Sequence, residues 1–88
     1  MKTTLTITNK LGLHARASAK LTKLVSAYPC DVWLSKGERR INAKSIMGVM
    51  MLAAGVGAVL ELEVTGEQAQ EATEAVEMLV ASKFGDVD

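Results

Sequence analysis

From Thr3 to Thr8 the chain alternates, with Leu5 and Ile7 on one side and Thr4, Thr6 and Thr8 on the other. This is the period of a half-buried strand. After His14 the period changes: Ala17, Leu21, Leu24, Val25 and Tyr28 form one stripe of a helix, with Lys20 and Lys23 on its solvent side. Pro29 ends that helix, because it cannot join the hydrogen-bond ladder and pushes Tyr28 toward extended backbone. Asp31 to Leu34 predicts a second strand with Val32 and Leu34 facing together. Ser35, Lys36, Gly37 and Glu38 then turn the chain into a third strand at Arg39 to Asn42. Trp33 covers the opposite face of this hairpin as packing, and Cys30 is a small inert hydrophobe.

The stretch 42–57 predicts a short helix with Ser45 at its N-cap, closed by Gly55 and Gly57. It is apolar on every side. Either the helix is buried all round, or it buries Ile46, Val49 and Leu52 and leaves methionines outside. A small domain cannot hide Met47, Met50 and Met51 together, so at least one is expected on the surface. Val59 to Val64 alternates as a fourth strand, with Leu60, Leu62 and Val64 inward and Glu61 and Glu63 on the solvated face. Ala72, Ala75, Val76, Leu79, Val80 and Phe84 mark the inner stripe of a last helix, which Gly85 is placed to end. Glu67, Glu71, Glu74 and Glu77 lie on its outer face. Strand, helix, strand, strand, helix, strand, helix is the pattern of a two-layer α+β domain, one sheet covered on one face by helices.

Composition narrows the class. Residues 1–88 make a single domain able to bury roughly two thirds or less of its unfolded surface. Hydrophobic residues at 49% and charged ones at 23% fit a globular protein and argue against disorder. One cysteine and one histidine predict neither an intramolecular disulfide nor a zinc cluster, and no metal or other cofactor is implied. The start of the chain lacks a secretory pattern and no run approaches spanning length, so a cytoplasmic protein without membrane insertion is expected. Net charge is zero, which with three aromatics argues against nucleic-acid binding and suggests a monomer. The halves differ, however. Residues 1–44 hold nine Lys or Arg against Asp31 and Glu38, whereas 45–88 hold Lys83 against eight acids. If folding keeps this segregation, an acidic partner is steered toward the half that carries His14.

The candidate chemistry lies in Asn9 Lys10 Leu11 Gly12 Leu13 His14 Ala15 Arg16 Ala17 Ser18, where the first strand gives way to the helix. At a helix start the first N–H groups lack partners inside the helix. The N–H groups of Ala15, Arg16, Ala17 and Ser18, the positive end of the dipole and the Arg16 guanidinium all favour an anion. A neutral imidazole beside them offers a lone pair as nucleophile, so the turn could accept and hold a phosphoryl group. The alternative is that His14 caps the helix or fills a half-buried space.

That turn resembles the active-site signature of the histidine phosphocarrier (HPr) family of the bacterial phosphoenolpyruvate-dependent sugar phosphotransferase system. Asn42 Ala43 Lys44 Ser45 Ile46 Met47 Gly48 Val49 Met50 is similar to the family's regulatory serine signature, and Lys83 Phe84 Gly85 to its closing segment. The resemblance implies an open-faced β-sandwich, with a four-stranded antiparallel sheet in the order 1-4-2-3 and three helices on one side. It implies that His14 takes phosphate on Nδ1 from phosphorylated enzyme I and delivers it to IIA domains of sugar permeases, with Arg16 countering the charge. It further implies that Ser45 is the target of an HPr kinase/phosphorylase. Partner docking is expected at Met47 and Met50, whose side chains adapt their shape to a partner, and at Lys20 and Lys23 on the solvent side of the first helix. One position departs from the pattern: Ala17 stands where many members carry proline, which loosens the turn and adds an N–H donor. Two other readings stay open, a carrier of the nitrogen-linked branch and a regulatory docking module that carries no phosphate.

Overall fold

The alternation at Val59–Val64 places a strand at the middle of the sheet. In the computed structural model, which describes residues 1–86, this strand is β4 (Val59–Thr65). It lies between β1 (Lys2–Thr6) and β2 (Asp31–Lys36), and β2 also pairs with β3 (Arg39–Asn42). All pairings are antiparallel, and the sheet order is β1-β4-β2-β3. The register sets Leu5 opposite Leu60, and Leu62 opposite Leu34, which in turn faces Ile41. Directly opposed residues share a face, so these apolar side chains form one side of the sheet.

Three helices complete the fold: α1 (Ala15–Ser26), α2 (Ile46–Met51) and α3 (Ala69–Ala81). They close over the apolar face and bury Leu21, Val25, Val49 and Val76 against it. The other face stays open. There Trp33 is half-buried, the Arg40 guanidinium lies 4.2 Å from its ring centre, and Arg40 also pairs with Glu63 at 3.2 Å. Trp33 is thus covered by a cation from the neighbouring strand rather than by apolar packing alone.

Several boundaries differ from the sequence expectation. β1 spans Lys2–Thr6, although Ile7 remains buried because its N–H donates to the Ala58 carbonyl at 2.9 Å beyond the paired strand. β2 runs on to Lys36, which shortens the hairpin loop to Gly37 and Glu38. α2 stops at Met51, before the glycines, because Ala53 takes left-handed backbone (φ 49°). Lys36 and Arg39 donate to the carbonyls of Met51, Leu52 and Ala53, groups that have no acceptor role left inside the helix. α2 buries Val49, and Leu52 at its C-cap is buried too, but Ile46 is exposed together with Met47, Met50 and Met51. The expectation that Ile46 turns inward therefore fails: one face of a six-residue helix suffices to reach the core.

The largest difference is at the chain's end. α3 ends at Ala81, and Phe84 reaches the core from a separate turn, Lys83–Gly85. All three residues of that turn have positive φ (58°, 57° and 72°).

Candidate functional site

Two close approaches fix the turn before α1. The Leu13 N–H donates to the Ala54 carbonyl at 2.8 Å, and Gly12 lies against the same loop with φ 63°. A Cβ at Gly12 would collide with the Ala54 carbonyl oxygen, so only glycine lets the two backbones meet. The Ser18 hydroxyl adds a bond to the Leu13 carbonyl at 3.1 Å. The turn therefore presents His14 from a braced backbone.

His14 occupies the N-cap position in extended conformation (φ −70°, ψ 177°), and its side chain makes no capping hydrogen bond. The ring meets a carboxylate from the far end of the chain instead. Its Nε2 lies 3.0 Å from Oδ2 of Asp86, a carboxylate that also accepts from Nδ2 of Asn9 at 2.9 Å. The His14 side chain keeps 25% of its surface exposed, whereas Asp86 keeps 7%, so the ring is neither a cap nor a core filler. The hydrogen bond from His14 holds the Asp86 carboxyl below its ordinary pKa. The bond from Asn9 and the charges of His14 and Lys20 act in the same direction, against the opposing effect of burial. Asp86 is therefore ionised at neutral pH and can only accept, which makes Nε2 the donor. In the neutral ring the lone pair then belongs to Nδ1.

The N–H groups of Ala15, Arg16 and Ala17 precede the first helical bond and donate to no described residue. Ser18 differs from the other three residues of the expected cradle. Its N–H already donates to the His14 carbonyl at 2.8 Å, the first i to i−4 bond of α1, and its side chain is buried. Arg16 is exposed and forms no ion pair among the described residues. The arrangement combines a ring nitrogen with a free lone pair, three backbone donors and an exposed guanidinium, a set suited to an oxyanion.

Asn9 and Asp86 were not legible in the sequence as site residues. Asn9 is fully buried, with Nδ2 shared between the Gly12 carbonyl at 2.8 Å and Asp86. It lies inside the turn motif, so a buried amide there was the only available signal. Asp86 is 72 positions from His14 and belongs to no periodic pattern. Lys20 also differs from expectation. It is half-buried and donates to the Phe84 carbonyl at 2.6 Å, while Lys23, one turn further on, is exposed as expected.

The family model for the HPr component phosphorylation site of the phosphotransferase system matches residues 1–82. This chain belongs to the HPr family. A phosphocarrier protein HPr of Cupriavidus necator is 56% identical over 81 residues, covering 92% of this chain and 91% of that protein. A phosphocarrier protein NPr of Shewanella violacea is 42% identical over 79 residues, covering 90% and 87%. Among solved structures, HPr-C-His from Thermoanaerobacter tengcongensis superposes with a TM-score of 0.96 at 39% identity, covering 100% of this chain and 99% of that one. The HPr fold, with sheet order 1-4-2-3 and three helices, is the fold of this chain, and the HPr family is one of phosphocarriers.

Proposed function

We propose that this HPr-family chain carries a phosphoryl group on Nδ1 of His14, accepting it from phosphorylated enzyme I and passing it to IIA domains of sugar permeases. One observation supports the assignment above the rest: Asp86 occupies Nε2 as an acceptor, which leaves the lone pair on Nδ1 of a partly exposed ring at a helix start. In the transfer, Nδ1 attacks phosphorus and a nitrogen–phosphorus bond forms as the bond from phosphorus to the donor breaks. The ring becomes cationic, keeps its Nε2 proton and is stabilised by the Asp86 carboxylate. Arg16 and the N–H groups of Ala15, Ala17 and Arg16 itself offset charge on the phosphoryl oxygens. Delivery reverses these events. The contacts are few and open to solvent, so the cargo is not trapped.

Exposed Met47 and Met50 lie on α2 and exposed Lys23 on α1, and these supply the docking surface for the acidic or apolar faces of partners. Ser45, the N-cap of α2, is the regulatory site for an HPr kinase/phosphorylase. The protein acts as a cytoplasmic monomer without a cofactor.

His14→Ala abolishes acid-labile labelling by enzyme I and phosphoenolpyruvate while leaving the fold intact; normal labelling of that variant overturns the assignment. The likeness to an NPr favours a second reading, a carrier of the nitrogen-linked branch. Incubation with each type of enzyme I and labelled phosphoenolpyruvate separates the two by which donor labels His14 faster. A docking module without phosphoryl transfer predicts no labelling by either.

A further inference from the structure

Lys20 lies on α1, six positions after His14, and its ammonium reaches across to the chain's last described turn. The carbonyl it binds, that of Phe84, lies in a run of three left-handed residues, Lys83, Phe84 and Gly85. Left-handed backbone sets Cβ against the following carbonyl oxygen, so it is disfavoured for Lys83 and Phe84 and persists only where its surroundings hold it. Here the Phe84 ring is anchored in the core with 1% of its surface exposed. Gly85 N–H donates to the Ser82 carbonyl at 3.0 Å and Asp86 N–H to the Lys83 carbonyl at 2.9 Å. The Lys20 bond at 2.6 Å is a further restraint, made by a side chain from another element. Gly85 leaves room for it, since a Cβ there would come within 3.0 Å of the Lys20 Nζ.

The residue that follows this turn is Asp86, whose carboxylate holds Nε2 of His14 and Nδ2 of Asn9. We infer that Lys20 is a positioning residue for His14: by holding the Phe84 carbonyl it fixes the left-handed turn, which sets Asp86 against Nε2 and leaves Nδ1 as the nucleophilic nitrogen. The inference deepens the reading of His14 as phosphoryl acceptor and rests on it. It also separates Lys20 from Lys23, because a lysine committed to an internal carbonyl is not a free docking cation.

The test uses the full chain labelled with nitrogen-15, as wild type, Lys20→Met, Lys20→Arg, Asp86→Asn and the Lys20→Met/Asp86→Asn double variant. Methionine keeps an apolar stem and removes the donor; arginine keeps a donor. At about pH 8.5, where imidazoles are neutral, the wild-type ring resonances should report a proton predominantly on Nε2. Lys20→Met should move both ring resonances toward a mixture of tautomers, and Lys20→Arg should restore them. In the Asp86→Asn background the same change should add nothing, because the positioning acts through that carboxylate. With phosphorylated enzyme I, Lys20→Met should lower kcat by on the order of tenfold and leave KM for enzyme I unchanged. Ring resonances unmoved by Lys20→Met overturn the inference. So does an effect that persists in the Asp86→Asn background, or a raised KM with kcat intact. Should no variant be labelled by any enzyme I, the acceptor reading fails on its own, and the ring resonances still decide whether Lys20 sets the tautomer.

Discussion

The backbone N–H of Leu13 donates to the carbonyl of Ala54 at 2.8 Å, and this bond ties the turn that presents His14 to the loop that leaves α2. The motif at residues 9–18 and the loop that follows the motif at residues 42–50 thus share a single braced backbone. The Gly12 backbone lies against the same carbonyl and keeps the approach possible.

Gly12→Ala tests that brace. The new Cβ would meet the Ala54 carbonyl oxygen and come within 2.7 Å of the Gly55 Cα, at a position where φ is 63°. Both effects are unfavourable, and together a loss of about 1–3 kcal/mol of unfolding free energy is expected. Urea unfolding measures it, and phosphoryl acceptance should fall as well because His14 shifts. A variant as stable as the wild type would show that the two backbones are free to move apart.

Asp86 makes stability depend on pH in a defined direction. Its carboxyl is held below the ordinary value of 3.8, first by the hydrogen bond from His14. A carboxyl that titrates lower in the folded than in the unfolded chain binds fewer protons when folded. Its contribution is therefore complete above the ordinary value and disappears as pH falls below it through the folded value. The gap in denaturation midpoint between wild type and Asp86→Asn should be present at about pH 6 and shrink progressively as pH falls below the ordinary value of 3.8. A gap that stays constant across that range would remove the ionised carboxylate from the account.

Ser45 separates a capping effect from a charge effect. Its Oγ accepts from the Gly48 N–H at 3.1 Å, so Ser45→Ala should cost about 1 kcal/mol of stability with little change in transfer rate. Ser45→Asp keeps an acceptor at the helix start and should stay within about 0.5 kcal/mol of wild type. Its charge beside Met47 and Met50 should nonetheless slow transfer to His14, as a phosphate of charge about −2 would do more strongly. Stopped-flow transfer from labelled enzyme I distinguishes the two variants, and equal rates for Asp and Ser would exclude regulation by charge at this position.

Met47 tests the docking surface. It is 67% exposed, so Met47→Asp should leave the unfolding midpoint within about 0.5 kcal/mol of wild type. Affinity for enzyme I, followed by calorimetry, should drop by about tenfold as an apolar contact is replaced by a charge. Unchanged affinity would move the interface away from α2.

The parts of this molecule that could be read from the sequence are those whose physical cause is local. The alternation at Val59–Val64 became β4 because a pleated strand with one buried face needs period two. Ser45 became an N-cap because its side chain can reach the N–H three residues on. His14 met a helix start because the break in period before Ala17 marks one. Local reasoning was weaker for α2, where an all-apolar segment carries no phase. Only the packed fold shows that Val49 and Leu52 turn inward while Ile46 and the three methionines stay outside. It also failed at the chain's end, where Phe84 continues the helical spacing of α3 yet reaches the core through left-handed backbone.

The amino-acid sequence by itself determined the order of strands and helices, the inward faces of β1, β2, β4 and α1 and the place of one histidine at an exposed helix start, since periodicity, caps and breakers act over a few residues. Tertiary structure alone decided which carboxylate meets that ring and which lysine reaches the turn that carries it. Asp86 and Phe84 lie 72 and 64 positions from His14 and Lys20, and partners so far apart are chosen by how the last turn packs against α1.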